Sequence, residues 1–149
     1  MDSSAPYYRR QAAALAALAL ALGGCSAAGD ATGDRTFSAR AVPFTFLLPA
    51  DFTKAAVDQL NSRGDVVAGA GIDKLDVIAV RRIPAARRLP GGPIAHRVRG
   101  VAVTSTLHRV PIPGWAIECQ WTAARRARVL VGCREAVASA RAIQILVRK

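Results

Sequence analysis

The sequence predicts an α+β fold: an antiparallel β-sheet flanked by helices, with an amphipathic helix near the C-terminus packed on the sheet. Three observations lead there. "WAIECQWT" alternates strictly, setting Trp115, Ile117, Cys119 and Trp121 on one face and Glu118, Gln120 and Thr122 on the other, the period of a strand. "AHRVRGVAVTSTLHRV" is β-branched and also alternates, Val101, Val103, Ser105 and Leu107 against Ala102, Thr104, Thr106 and His108. "AARRARVLVGCREAVASARAI" then changes period, bringing Val129, Cys133, Val137 and Ala140 to one face of a helix and leaving Arg125, Arg128, Glu135 and Arg141 largely elsewhere.

From the N-terminus, the first feature is the apolar run Ala12 to Leu22, 11 residues long. A hydrocarbon core about 30 Å thick needs roughly 20 apolar residues in a helix, so the run is too short to span. It fits a secretory h-region preceded by Arg9 and Arg10, with no acidic residue before Cys25. The tetrad Leu22-Gly23-Gly24-Cys25 resembles the bacterial lipobox, an aliphatic residue and two small ones ahead of a cysteine. That resemblance implies that Cys25 receives a diacylglyceryl thioether and that residues 1–24 are removed as a signal peptide. A mature chain of 125 residues then starts at Cys25, with residues 25–36, "CSAAGDATGDRT", as a flexible tether and 37–149 as a single domain. Anchorage places it at the cell membrane, on the extracytoplasmic side; the acyl chains of the lipobox class hold more firmly than one chain alone.

Within the domain, "RTFSARAVPFTFLLPADF" reads as a strand with Phe44, Phe46 and Leu48 on one face, ended by Pro49. "DFTKAAVDQLNSRG" reads as a short helix: Asp51 or Thr53 caps it, Ala56, Val57 and Leu60 keep helical spacing, and Gly64 lies past its end. "GIDKLDVIAVRRI" opens polar and becomes a second strand through Leu75, Val77, Ala79 and Val80. Pro84 to Pro93 is loop, and Gly100 is a possible break that would make the β-branched stretch a hairpin. "PIPG" turns the chain into the Trp115 strand. Gly132 inside the final helix is unfavourable by about 1 kcal/mol against alanine, which suggests close approach to a strand.

Charge is divided unevenly. From Cys25 to Asp76 five cations face seven aspartates, a net −2; from Val77 to Lys149 fourteen cations face two glutamates, a net +12. Exposed arginines of this kind suit anionic lipid headgroups or acidic envelope polymers, at about 1 kcal/mol per cation near an anionic surface. Nucleic acid is not expected as a partner, since no aromatics are interleaved with the cations for base stacking. Arg125, Arg126, Arg128 and Arg134 are the candidates for one continuous anionic-surface patch; the plain alternative is an arginine-rich composition that only solvates a surface.

Cys119 on the apolar face of a strand and Cys133 on the apolar face of the following helix point into one space, and an exported protein can keep a disulfide. A Cys119–Cys133 bond closes a loop of about 15 residues, for which chain entropy gives roughly 3 kcal/mol. With Cys25 assigned to lipid, the three cysteines become one anchor and one pair. No metal site and no cofactor are expected: neither cysteine belongs to a C-x-x-C, and no histidine is close to them in sequence. His96, His108, Asp73 and Asp76 are the only ionisable groups available to an enzyme, and no serine elbow or phosphate loop accompanies them. The chain is therefore expected not to be an enzyme.

Taken together, "VPFTFLLPADF", "GIDKLDVIAVRR" and "WAIECQWTAARRARVLVGCREAVASA" resemble the small lipoproteins of actinobacteria, mycobacterial ones among them, with the PsbP-like fold. The resemblance runs from Phe37 to Ala142 and rests on packing signatures. It implies an exported, lipid-anchored protein whose antiparallel sheet is flanked by helices, acting as a non-enzymatic binding or scaffolding module for an envelope protein. This chain has less strand sequence than the family usually shows between its middle motif and the cysteine-bearing strand. Two other readings stand beside it: a basic module on anionic lipid or cell-wall polymer, and a cell-envelope enzyme built on the four ionisable residues.

Overall fold

The computed structural model describes residues 33–54 and 65–143. The apolar run before Cys25, Cys25 itself and the body of the helix expected over 51–64 lie outside the described residues. Among the described residues no helix is long and apolar enough to cross a membrane.

Among the described residues, nine strands and one α-helix form an α+β fold: β1 (Asp34–Phe37), β2 (Phe44–Pro49), β3 (Thr53–Lys54), β4 (Val66–Gly71), β5 (Val77–Arg82), β6 (Ile94–Val98), β7 (Val101–Arg109), β8 (Trp115–Trp121), α1 (Arg126–Ser139) and β9 (Arg141–Ala142). The six-stranded sheet runs β3-β4-β5-β8-β7-β6 and the three-stranded one β1-β2-β9, all pairs antiparallel. After β5 the chain crosses over, folds the β6–β7 hairpin, and returns as β8 into the gap between β5 and β7.

Helix α1 packs against β2 of the small sheet and against β8 and β5 of the large one. The layers meet around Phe44, Phe46, Leu48, Phe52, Ile78, Ile117 and Val129, all at most 1% exposed. Phe46 stacks on Phe37 with centroids 4.7 Å apart, and Phe44 meets Trp115 edge-on at 6.0 Å. Such aromatic pairs add about 0.5–1.5 kcal/mol each beyond area burial. The Ser139 hydroxyl accepts from the Leu47 amide at 2.8 Å, tying the end of α1 to β2.

Several sequence expectations hold. Phe44, Phe46 and Leu48 share the core face and β2 ends at Pro49. The β6–β7 pair is a hairpin, turned by Arg99 and Gly100 at positive φ (49° and 83°), the backbone of a two-residue primed turn.

Others need correction. β1 begins at Asp34 and pairs with β2, so the last three residues assigned to the tether, Asp34 to Thr36, belong to a sheet. Thr53 is in strand β3, where its hydroxyl donates to the Gly71 carbonyl at 3.3 Å, and Asp51 pairs with Arg128. The second strand expected in "GIDKLDVIAVRRI" is β5, but it begins at Val77 and excludes Leu75; residues 72–76 make the tight β4–β5 connection, in which the Asp73 carboxylate accepts the amides of Leu75 and Asp76.

β4 was hidden by its glycines, which weaken any strand pattern. Gly71 is required there, because a Cβ would lie 2.6 Å from the Asp73 carbonyl oxygen. β8 is buried on both faces, Ala116 and Gln120 included, since it is central in its sheet. The buried arc of α1 is Val129, Gly132, Cys133 and Ala136, with Val137 only partly covered. A helix wedged between two sheets buries the i, i+3, i+4, i+7 set, and α1 ends before Ala140, where the chain turns into β9.

Candidate functional site

The clearest chemical feature is the junction between β8 and α1. Cys119 and Cys133 form a disulfide with a Cα–Cα separation of 5.9 Å, and both residues are buried, at 0% and 3% exposure. The expected pairing is thus present, and it joins the central strand to the helix above it.

Strand register adds what sequence spacing concealed. β7 pairs with β8 so that Thr106 faces Cys119 and His108 faces Ile117, and paired residues of antiparallel strands share a face. His108 therefore points to the helix side of the sheet, diagonal to Cys119. A ring nitrogen of His108 and the two cysteine sulfurs all lie within 4.8 Å of one another. The expectation of no metal-type cluster rested on distance along the chain, and two adjacent strands have removed that distance. His108 is half-buried, burial pushes its imidazole below the usual range, and its Nε2 is 3.0 Å from the Thr106 hydroxyl.

The other ionisable candidates are not brought to this place. His96 is opposite Val103, on the other face of the sheet from His108, with Nε2 3.3 Å from Gln120 Oε1. The Gln120 side-chain amide donates in turn to the Leu75 carbonyl at 3.0 Å. Asp76 is buried and accepts the Thr122 amide at 2.7 Å and the Thr122 hydroxyl at 3.0 Å, so it fastens the end of β8 to the β4–β5 connection. Burial pushes the Asp76 carboxyl up, against those hydrogen bonds. Burial also raises Asp73, but the amides of Leu75 and Asp76 outweigh it and hold its carboxyl below the usual range. The two histidines are thus apart, whereas the Asp73 and Asp76 carboxyls lie side by side and hydrogen-bond to each other in the β4–β5 connection.

All four candidate arginines of the α1 region are exposed, yet they do not share one face. At about 100° per residue, Arg134 lies roughly 80° around the helix from Arg126, and Arg128 roughly 160° from it on the other flank. Arg128 forms a bidentate pair with Asp51, donating at 2.6 and 2.8 Å, and this holds the Asp51 carboxyl below its usual value. Arg125 also acts on Asp51, and Arg128 on Glu135. The Arg125–Arg128 flank is thus of mixed charge, and the continuous patch expected from composition divides in two.

Two features were not singled out in the sequence. Arg81 on β5 is buried between Asp65, to which it donates at 2.6 Å, and Glu118 on β8, at 2.7 Å. Beside it opens a cleft of about 840 Å³ lined by Asp65, Arg82, Ile83, Pro84, Pro113 and Trp115. The Arg82 guanidinium lies over the Trp115 ring, 5.1 Å from its centroid. A bulge between Val66 and Ala68 alters the register of β4 at this edge, and Val67 also lines the cleft. The only sequence signal was the pair of proline-rich turns that flank it. No family model and no curated protein matches the chain.

Proposed function

We propose that the chain is an exported lipoprotein, anchored in the cell membrane through Cys25 with its domain on the extracytoplasmic side, and that it acts as a non-enzymatic binding or scaffolding module. The observation that carries the reading is the buried Cys119–Cys133 disulfide. Such bonds persist in oxidising, extracytoplasmic compartments and are rare in reducing ones, which agrees with the secretory pattern of residues 9–25 and its lipobox-like end. A PsbP-like fold remains part of the proposal; the antiparallel sheet with its packed helix is compatible with it.

A binding role is favoured by the separation of the two histidines from each other, which leaves the neighbouring Asp73 and Asp76 in the β4–β5 connection as the one carboxyl pair among the four candidates. His96 and His108 lie on opposite faces of the sheet, and the Asp76 carboxylate accepts the Thr122 amide and hydroxyl. The cleft beside Trp115 offers an indole, a guanidinium and two prolines, a lining for a planar or apolar group that carries negative charge. An envelope component or the exposed segment of an envelope protein fits that description.

The reading is tested by replacing Cys25 with alanine in a bacterium that processes lipoproteins and fractionating the cells. Release of the protein from the membrane fraction is the expected result, and unchanged retention would defeat the anchor.

A further inference from the structure

The His108, Cys119 and Cys133 cluster has a chemistry that a structural disulfide alone does not explain. Three donor atoms of the types preferred by zinc, two sulfurs and an imidazole nitrogen, converge within 4.8 Å at the junction of β7, β8 and α1. We infer that reduction of the Cys119–Cys133 disulfide by a dithiol turns this junction into a three-ligand site for a thiophilic d10 cation of the zinc class, held by both cysteine sulfurs and a ring nitrogen of His108.

The electron and proton count is simple. The dithiol gives two electrons and two protons to the Cys119–Cys133 bond and is itself oxidised to a disulfide, leaving two thiols. The cation then displaces the two thiol protons, and two Cys–S–metal bonds form. Two thiolates and a neutral imidazole cancel the charge of a dication, so the occupied site adds no net charge to the buried junction, where an uncompensated charge would be strongly unfavourable.

The geometry suits the change. In a tetrahedral zinc site with bonds of about 2.3 Å to sulfur and 2.0 Å to nitrogen, sulfurs lie about 3.8 Å apart and each sulfur about 3.5 Å from the nitrogen. The ring nitrogen lies within 4.8 Å of both sulfurs, and breaking the disulfide frees the sulfurs to move apart to the longer spacing. The three residues stand on two hydrogen-bonded strands and a packed helix, the rigid supports that a metal site needs. Three protein ligands leave the fourth position to water. On this account either the disulfide or the cation holds α1 to β8, and oxidation expels the cation. The inference does not depend on the anchor at Cys25.

The test uses the full chain in detergent, its disulfide reduced with a phosphine, titrated with Co²⁺ as the probe for zinc. The expected result is binding of one Co²⁺ per chain, with thiolate-to-cobalt charge transfer and the visible bands of a tetrahedral ion, while the oxidised chain shows neither. His108→Ala is expected to weaken binding by about tenfold or more and to alter the visible bands. The double variant Cys119→Ser/Cys133→Ser is expected to lose the charge-transfer band altogether. Near-UV circular dichroism from Trp115 and Trp121 follows the fold throughout. A reduced chain that stays folded without binding Co²⁺ would overturn the inference, as would a His108→Ala chain that binds with the same affinity and spectrum. A reduced chain that unfolds and is not refolded by Co²⁺ or Zn²⁺ would overturn it as well.

Discussion

Gly132 of α1 lies against the ring of Phe52 so closely that a Cβ on it would be 2.9 Å from both Cε2 and Cζ and 3.3 Å from the Ile78 Cδ1. Phe52 is fully buried and cannot swing away. Gly132→Ala improves helix propensity by about 1 kcal/mol but overpacks the core by about 1–3 kcal/mol. The clash should win. Urea unfolding is expected to show a net loss of about 1 kcal/mol; a more stable variant would mean that α1 stands farther from Phe52.

The disulfide closes the chain between Cys119 and Cys133, 14 residues apart. Loop-closure entropy for that span predicts that Cys119→Ala/Cys133→Ala loses about 3 kcal/mol of unfolding free energy. A loss below about 1 kcal/mol would show that the bond is incidental to folding.

Arg81 and Arg128 both pair with aspartate, but in different surroundings. The Arg81 side chain is 8% exposed and Arg128 is 42% exposed. Arg81→Ala removes the guanidinium that Asp65 and Glu118 share in a largely buried place and is expected to lose about 3 kcal/mol. Arg128→Ala breaks a solvent-screened pair and should lose less than about 1 kcal/mol. Equal losses in chemical denaturation would refute the distinction.

Asp76 and Asp51 should respond to acid in opposite directions. Burial raises the folded Asp76 carboxyl above its ordinary 3.8, so its proton is favoured by folding and its contribution improves as pH falls through the raised value. The Arg128 hydrogen bond depresses Asp51, so its contribution is present above about pH 3.8 and fades as pH falls through the lowered value. Asp76→Asn keeps an acceptor for the Thr122 amide, and its stability relative to the parent should rise between acid and neutral pH. Asp76→Ala leaves that amide without its partner, a loss of about 1–3 kcal/mol. An Asp76→Asn difference that is flat with pH would contradict the assignment.

Much of this architecture is legible in the residues, for identifiable reasons. Strict alternation exposes β8, the change of period exposes α1, and an apolar face shared by one strand and one helix is enough to pair Cys119 with Cys133. Glycine erases β4, where Gly69 and Gly71 replace the branched residues that announce a strand. The His108 cluster was half visible: the alternation already set Thr106 and His108 on one side and Cys119 on another strand's core side. What no local pattern carries is the β7–β8 register, which decides that those two sides are the same. The arginines failed in the opposite way, because composition counts charge but does not reveal Asp51 beside Arg128 or the helical angle between Arg128 and Arg126.

The claim on which the proposed function depends is the lipid on Cys25. It is tested most directly by mass spectrometry of the N-terminal fragment of the protein, expressed as the full chain in a lipoprotein-processing bacterium and extracted from its membranes. The account predicts a chain that begins at Cys25 and carries a diacylglyceryl group in thioether linkage to that residue. A chain whose N-terminus lies elsewhere, or whose Cys25 bears an unmodified thiol, would contradict it.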